Sequence, residues 1–200
     1  MTEKQIERIK NKIAKIKKGL AADKKHWGGY YHDGGGLRYM PPELYLKIQD
    51  YKGSLRYFNW FDKNFPEDSG FPIFLFEWTI TLFKTKKLKL AENKVKHTFY
   101  SNTYLLDKFL DKELLQFNKS EDSNWQYEQL VDDFKYSKNQ EEMKDFAEWL
   151  NSYMKSEDFL EFANEFIEIK AELKDEPVGK RRSYLVNKEY ELLERISFSK

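Results

Sequence analysis

The chain has 200 residues with 35 basic and 34 acidic side chains, a net charge of +1, and an apolar content of 40% alongside 17% aromatic residues. Such a composition fills a sizeable core, which excludes wholesale disorder, and the length suits one domain. Cysteine is absent, so disulfides, thiol catalysis and cysteine-ligated zinc are excluded together.

The balanced net charge conceals a segregation. Residues 1–40 carry 10 basic and 4 acidic side chains, and residues 121–176 carry 6 basic and 17 acidic ones. Opposed charge of this kind favours docking of the two regions within or between chains. Lys and Arg recur through Lys4–Lys18, leaving no core for a secretory signal, and the longest apolar run, Phe71–Phe83, is interrupted by Glu77 and too short for a bilayer. A cytoplasmic protein without a membrane span is expected.

From Glu3 to about Ala22, Ile6, Ile9, Ile13, Ile16 and Leu20 recur at steps of three and four with Lys on the other sides. This predicts an amphipathic helix that packs on later elements or, as a homodimer, on a second copy. A lysine-rich helix also suits nucleic acid or anionic lipid, but its stripe lacks an aromatic residue and neither partner is expected.

The stretch from His26 to Tyr39 holds five of the nine glycines. There His32, Asp33 and Arg38 place a titratable ring, a carboxylate and a fixed cation beside backbone free to take positive φ, which makes them the first candidates for a ligand site. No Lys-Ser/Thr follows and no strand precedes, so this is not a phosphate-binding loop. His26 and His32 with Asp33 match no metal-ligand spacing. A structural connector is the alternative.

Pro41-Pro42 marks a helix start. In the segment that follows, Tyr45 stands at an aromatic position of a first helix, Asp50-Tyr51 at a turn, Ser54 at a small position, Phe58 four residues on, and Pro66 at a closing proline. Together these resemble the inner turn and second helix of a tetratricopeptide repeat. Pro41-Pro42 replaces the family's Leu-Gly, so the first helix is expected to be short. A second unit follows: helix Pro72–Lys84 with Leu75, Trp78 and Leu82, turn Thr85-Lys86-Lys87, and helix Leu88–Phe99 with Ala91 and Val95. Ser54 and Ala91 lie close to one repeat period of about 34 residues apart. Thr103 stands where the second closing proline would be, and Asn102-Thr103 is expected to cap a third helix, Tyr104–Leu110. The resemblance implies stacked antiparallel helical hairpins whose concave face binds a protein or peptide, with Tyr45, Tyr57, Trp60, Trp78 and Phe83 as groove candidates. Two such units need caps, which the N-terminal helix and the C-terminal region supply.

The remaining periodicity predicts helices over Asp122–Phe134, burying Trp125, Tyr127, Leu130, Val131 and Phe134; over Glu141–Met154, burying Met143, Phe146, Leu150 and Tyr153; and over Glu157–Leu173, burying Phe159, Phe162, Phe166 and Ile169. Asp175–Gly179 breaks the pattern. Tyr184–Ile196 reads as a last helix, with a strand at Ser183–Val186 as the alternative, and Ser197–Lys200 is expected to fray.

Glu161, Glu165 and Glu168 share one helical face, but no Glu-x-x-His pair accompanies them, so neither a metal nor another cofactor is expected. No nucleophile elbow is present. His97 lies near a helix C-terminus, where the dipole favours a cation. Lys84, Lys86, Lys87, Lys89, Lys94 and Lys96 cluster at the second hairpin turn and read as solvent-facing. The sequence therefore predicts one all-α domain of three parts: a basic helix with a Gly-rich loop (1–40), repeat-like hairpins (41–110) and a C-terminal helical cap (111–200). Its expected role is a non-catalytic scaffold for a protein or peptide. The alternative is a small-ligand domain or enzyme that uses the His32–Arg38 loop.

Overall fold

The computed structural model describes residues 1–117, 119, 120 and 123–197. The first residue of the expected Asp122–Phe134 helix, and residues 198–200 of the expected frayed tail, lie outside these. The described residues are all-α, with nine α-helices and no strand. They fall into two compact units, one of Met1–Gly70 with Lys84–Lys86 and one of Phe71–Phe83 with residues from Lys87 onward. The two repeat-like hairpins belong to different units. No helix among the described residues is long and apolar enough to cross a membrane.

The first unit is built on α1 (Glu3–His26). Thr2 and Gln5 close a capping box at its start, satisfying amides that a helix leaves free, and Lys24, Lys25 and His26 face the negative end of its dipole. Its stripe is buried from Ile13 onward: Ile13, Ile16 and Leu20 form a core with Leu44, and Tyr31, Tyr45, Ile48 and Trp60 pack against it. Burial of three such aliphatic side chains contributes about 5–9 kcal/mol as an upper bound. The stripe thus finds its partner within the chain, on the hairpin of α2 (Pro41–Lys47) and α3 (Tyr51–Asn64). As expected, α2 is short, with prolines in its first turn where a missing N–H costs nothing. Gln49 turns the chain at a φ of 55°, and Asp50 caps α3 by accepting from the Gly53 amide at 2.8 Å.

In the second unit α4 (Pro72–Lys84) is central, with ten of its side chains buried from Pro72 to Phe83. A helix that is apolar on every side belongs inside. Its polar members are satisfied: Thr79 and Thr81 donate to carbonyls one turn back, and Glu77 accepts from the Tyr136 hydroxyl at 2.7 Å. Phe76 meets Phe109, Phe134 and Phe146 at ring separations of 5.0, 5.1 and 5.7 Å. Next come α5 (Leu88–Ser101) and the short α6 (Leu105–Phe109). Asn102 caps α6 as anticipated, its carbonyl oxygen accepting from the Tyr104 and Leu105 amides at 3.0 and 3.1 Å.

The expected helix over Asp122–Phe134 does not form. Two 3-10 turns, Asn124–Gln126 and Glu128–Val131, stand in its place. The Asn102 amide nitrogen donates to the carbonyls of Trp125 and Tyr127, and Lys119 donates to that of Gln126. Three successive carbonyl groups are thereby engaged by side chains from elsewhere, which competes with the helical ladder. Trp125 and Tyr127, expected inside, are 51% and 41% exposed, whereas Val131 is buried.

The expected Glu141–Met154 helix begins as a 3-10 turn, Glu141–Met143, and continues as α7 (Lys144–Tyr153), burying Met143, Phe146, Leu150 and Tyr153. A long hairpin ends the chain: α8 (Glu157–Asp175), capped by Ser156, and α9 (Lys180–Ser197). The alternative strand at Ser183–Val186 is helical. Lys170 meets Glu189 at 3.4 Å, Arg182 donates to the Leu173 carbonyl at 2.7 Å, and Arg195 meets Glu165 at 2.5 Å. Later residues of α8 thus meet earlier residues of α9, so the two run antiparallel.

Candidate functional site

The Gly-rich loop of the first unit engages its own polar groups. Asp33 sits at a φ of 36° and is buried to 6% exposure. Its carboxylate accepts from the Leu37 and Arg38 amides at 2.8 and 3.0 Å and from the Arg38 guanidinium at 2.9 Å, which caps the 3-10 turn Leu37–Tyr39. Arg38 also donates to Asp68 at 2.7 Å, and Tyr39 donates to the same carboxylate at 2.6 Å. Tyr57 donates to the Arg38 carbonyl at 2.8 Å. Burial opposes ionisation of Asp68, but the bonds from Tyr39 and Arg38 outweigh it and hold its carboxyl below the usual range. Burial and Asp68 push the Tyr39 phenol up to about 12. His32 stacks on Trp27 with ring centroids 4.9 Å apart, and its amide donates to Asp23 at 2.8 Å. Of the three loop candidates, Asp33 and Arg38 brace the loop and His32 is exposed beside Trp27.

The groove candidates fall on two different units. Tyr45, Tyr57 and Trp60 form one aromatic run in the first unit, with centroids 6.2 and 5.1 Å apart, and Tyr45 and Trp60 pack against the α1 core. The face of that hairpin expected to receive a peptide therefore carries the chain's own first helix. In the second unit Trp78 is half-buried with the Lys94 ammonium 4.0 Å from its ring centre, and Phe83 is buried.

A concave surface of the second unit escaped the sequence reading. A cavity of about 450 Å³ is lined by Lys89, Asn93 and Lys96 of α5, Asp158, Glu161, Phe162 and Glu165 of α8, and Leu192, Arg195 and Ile196 of α9. A second, of about 710 Å³, is lined by Glu165 of α8 and by Tyr184, Asn187, Lys188, Glu191, Glu194 and Arg195 of α9. Glu165 and Arg195 line both, so the cavities adjoin along α9. The walls are braced from below. Lys170 has no exposure and pairs with the nearly buried Glu189, while Arg182 takes the carbonyls of Leu173 and Glu176 at the end of α8. At the α5 side Lys96 donates to Asp158 at 2.8 Å and Tyr153 donates to the other oxygen of that carboxylate at 2.8 Å. Burial works against the Asp158 charge, yet Lys96 and Tyr153 hold its carboxyl below the ordinary range. Burial followed by Asp158 pushes the Tyr153 phenol up.

His97 lies beside this region. The helix dipole predicted a cation, but burial and then Lys94 pull its pKa down to about 3, against a hydrogen bond to the Ile196 backbone, so the ring is neutral at physiological pH. Among the described residues no cluster of His, Asp and Glu is arranged to hold a metal ion. The hairpin-turn lysines separate in role: Lys94 lies on Trp78, Lys96 is buried on Asp158, and Lys89 pairs with Glu92 at 3.3 Å. The groove could not be read from the sequence because α5, α8 and α9 supply it from three distant stretches. The one local signal was the mixed charge of Lys188, Glu191, Glu194 and Arg195. No protein-family model, no curated protein and no solved structure matches this chain.

Proposed function

We propose that this protein is a non-catalytic helical scaffold that binds a protein or peptide segment, and that the α5/α8/α9 groove of the second unit is its receiving surface. The observation that carries this is the adjoining pair of cavities sharing Glu165 and Arg195. Its lining mixes Phe162, Tyr184, Leu192 and Ile196 with charges of both signs, the anatomy of a peptide-binding groove more than of an apolar small-molecule pocket. Its buried Lys170–Glu189 pair and braced hairpin hold both walls in place before any partner arrives, which lowers the ordering cost of binding. The tetratricopeptide-like character of the two hairpins points to the same broad role, and the lack of cysteine suits a cytoplasmic setting.

The test is affinity capture from the native host, with Tyr184→Ala plus Arg195→Glu as the comparison. Both side chains are well exposed, so the variant keeps its helical circular dichroism. A partner held by the parent chain and lost by the variant, and competed by a peptide from that partner, supports the groove. The same partner retained equally by the variant refutes it.

A further inference from the structure

We propose that the outward face of α1, with the rings that follow it, is a binding surface for single-stranded nucleic acid. It uses the first unit alone and does not depend on the groove. The structure supplies what the sequence stripe lacked. Because Ile13, Ile16 and Leu20 are buried on the hairpin, the orientation of α1 is determined, and the face opposite that stripe points to solvent. On it Lys4, Arg8, Lys15, Lys18 and Lys25 are all exposed and fall on one line at helical steps of three, four and seven. From Lys4 to Lys25 the line runs about 32 Å. Asp23, the one acid in the second half of α1, is turned to the loop and accepts from the His32 and Asp33 amides; Glu3 and Glu7 lie in the first two turns, Glu7 exposed on the cationic face itself, so the uninterrupted row of cations is the one from Arg8 to Lys25.

The line leads directly to exposed aromatic rings. Trp27 is 50% and Tyr30 is 80% exposed. Trp27 is steadied by His32 stacked at 4.9 Å and His26 edge-on at 5.1 Å, and the positive φ angles of Gly28 and Gly29 carry the chain past it to Tyr30. A row of cations that ends in solvent-facing rings is the arrangement that tracks a phosphate backbone and stacks unpaired bases. Duplex ends and grooves offer no unstacked base to such rings, so a single strand is favoured. An anionic membrane is disfavoured, because an interfacial helix inserts its apolar face and that of α1 is covered.

The full chain is titrated with a fluorescein-labelled oligothymidylate of about 20 nucleotides, read by anisotropy over a series of salt concentrations. Affinity should fall with salt with a log–log slope of about −3, for four or five phosphates engaged. Lys15→Gln, Lys18→Gln and Lys25→Gln together should make the slope shallower by about 2. Trp27→Ala with Tyr30→Ala should weaken binding about ten-fold or more at fixed salt with the slope unchanged. These side chains are exposed, and circular dichroism confirms that each variant is folded. Absence of binding at low salt, indifference to either set of substitutions, or tighter binding to the matching duplex overturns the proposal. Adsorption to phosphatidylserine–phosphatidylcholine vesicles without oligonucleotide binding also overturns it and reassigns the face to lipid headgroups.

Discussion

Replacing Gly53 with alanine separates local propensity from packing, because the two predict opposite signs. Gly53 lies in the first turn of α3, where alanine normally gains about 1 kcal/mol in helix propensity. Here a Cβ would stand 2.2 Å from an Asp50 carboxylate oxygen and 2.7 Å from Cε1 of Tyr45. Asp50 is the cap of α3, accepting from the Gly53 amide at 2.8 Å, so moving it aside forfeits about 1 kcal/mol. The Tyr45 ring is packed against the α1 core, and forcing it out adds about 1–3 kcal/mol. Gly53→Ala should therefore destabilise the first unit by about 1–3 kcal/mol net. Hydrogen exchange at the α3 amides reads that unit directly. In an Asp50→Ala background the cost of Gly53→Ala should shrink by about 1 kcal/mol, since the two positions couple through the cap. Stabilisation by Gly53→Ala in the parent chain would refute the packing argument.

Arg38→Lys should release the loop, since an ammonium cannot reach Asp33 and Asp68 together; about 2 kcal/mol of local protection is expected to vanish from the amides of residues 32–39, and unchanged exchange would count against the clamp. At Lys170 and Glu189 single and double changes should differ: Glu189→Gln removes the carboxylate charge that faces the fully buried Lys170 and should cost about 3–5 kcal/mol in urea unfolding, while Lys170→Met with Glu189→Met should be near neutral. Equal costs for the two would mean that the pair is not the source. His97 gives a pH signature. Its pKa is about 3 in the fold against 6.5 in the unfolded chain, so the unfolded state takes up the proton first. Its contribution is complete above pH 6.5 and is lost as pH falls from there toward 3, by about 2 kcal/mol at pH 5. His97→Gln should flatten the stability change between pH 7 and 5, and parallel curves for parent and variant would exclude this source.

Much of the architecture is legible in the sequence where neighbours a few residues apart decide it. The stripe of Ile13, Ile16 and Leu20 marks the buried side of α1, the unbroken apolar run of α4 marks a helix surrounded by others, and Asn102 announces the start of α6, because periodicity and capping are local properties. The loop candidates were legible as a cluster but not in their role: Asp68, which completes the Arg38 clamp, lies thirty residues on. The stretch after Ser123 carries a helical pattern, yet Asn102 and Lys119 take its carbonyls and hold it in 3-10 turns. Lys170 reads as one more solvated charge of α8 until Glu189 is brought to it. By itself, then, the sequence determines most of the helical segments and the apolar face of each, the stretch after Ser123 excepted, since backbone hydrogen bonding and side-chain spacing act within a turn or two. Tertiary structure alone decides which faces meet, which charges are paired, and where the α5/α8/α9 groove opens, because those depend on residues far apart in the chain and on the low dielectric that their packing creates.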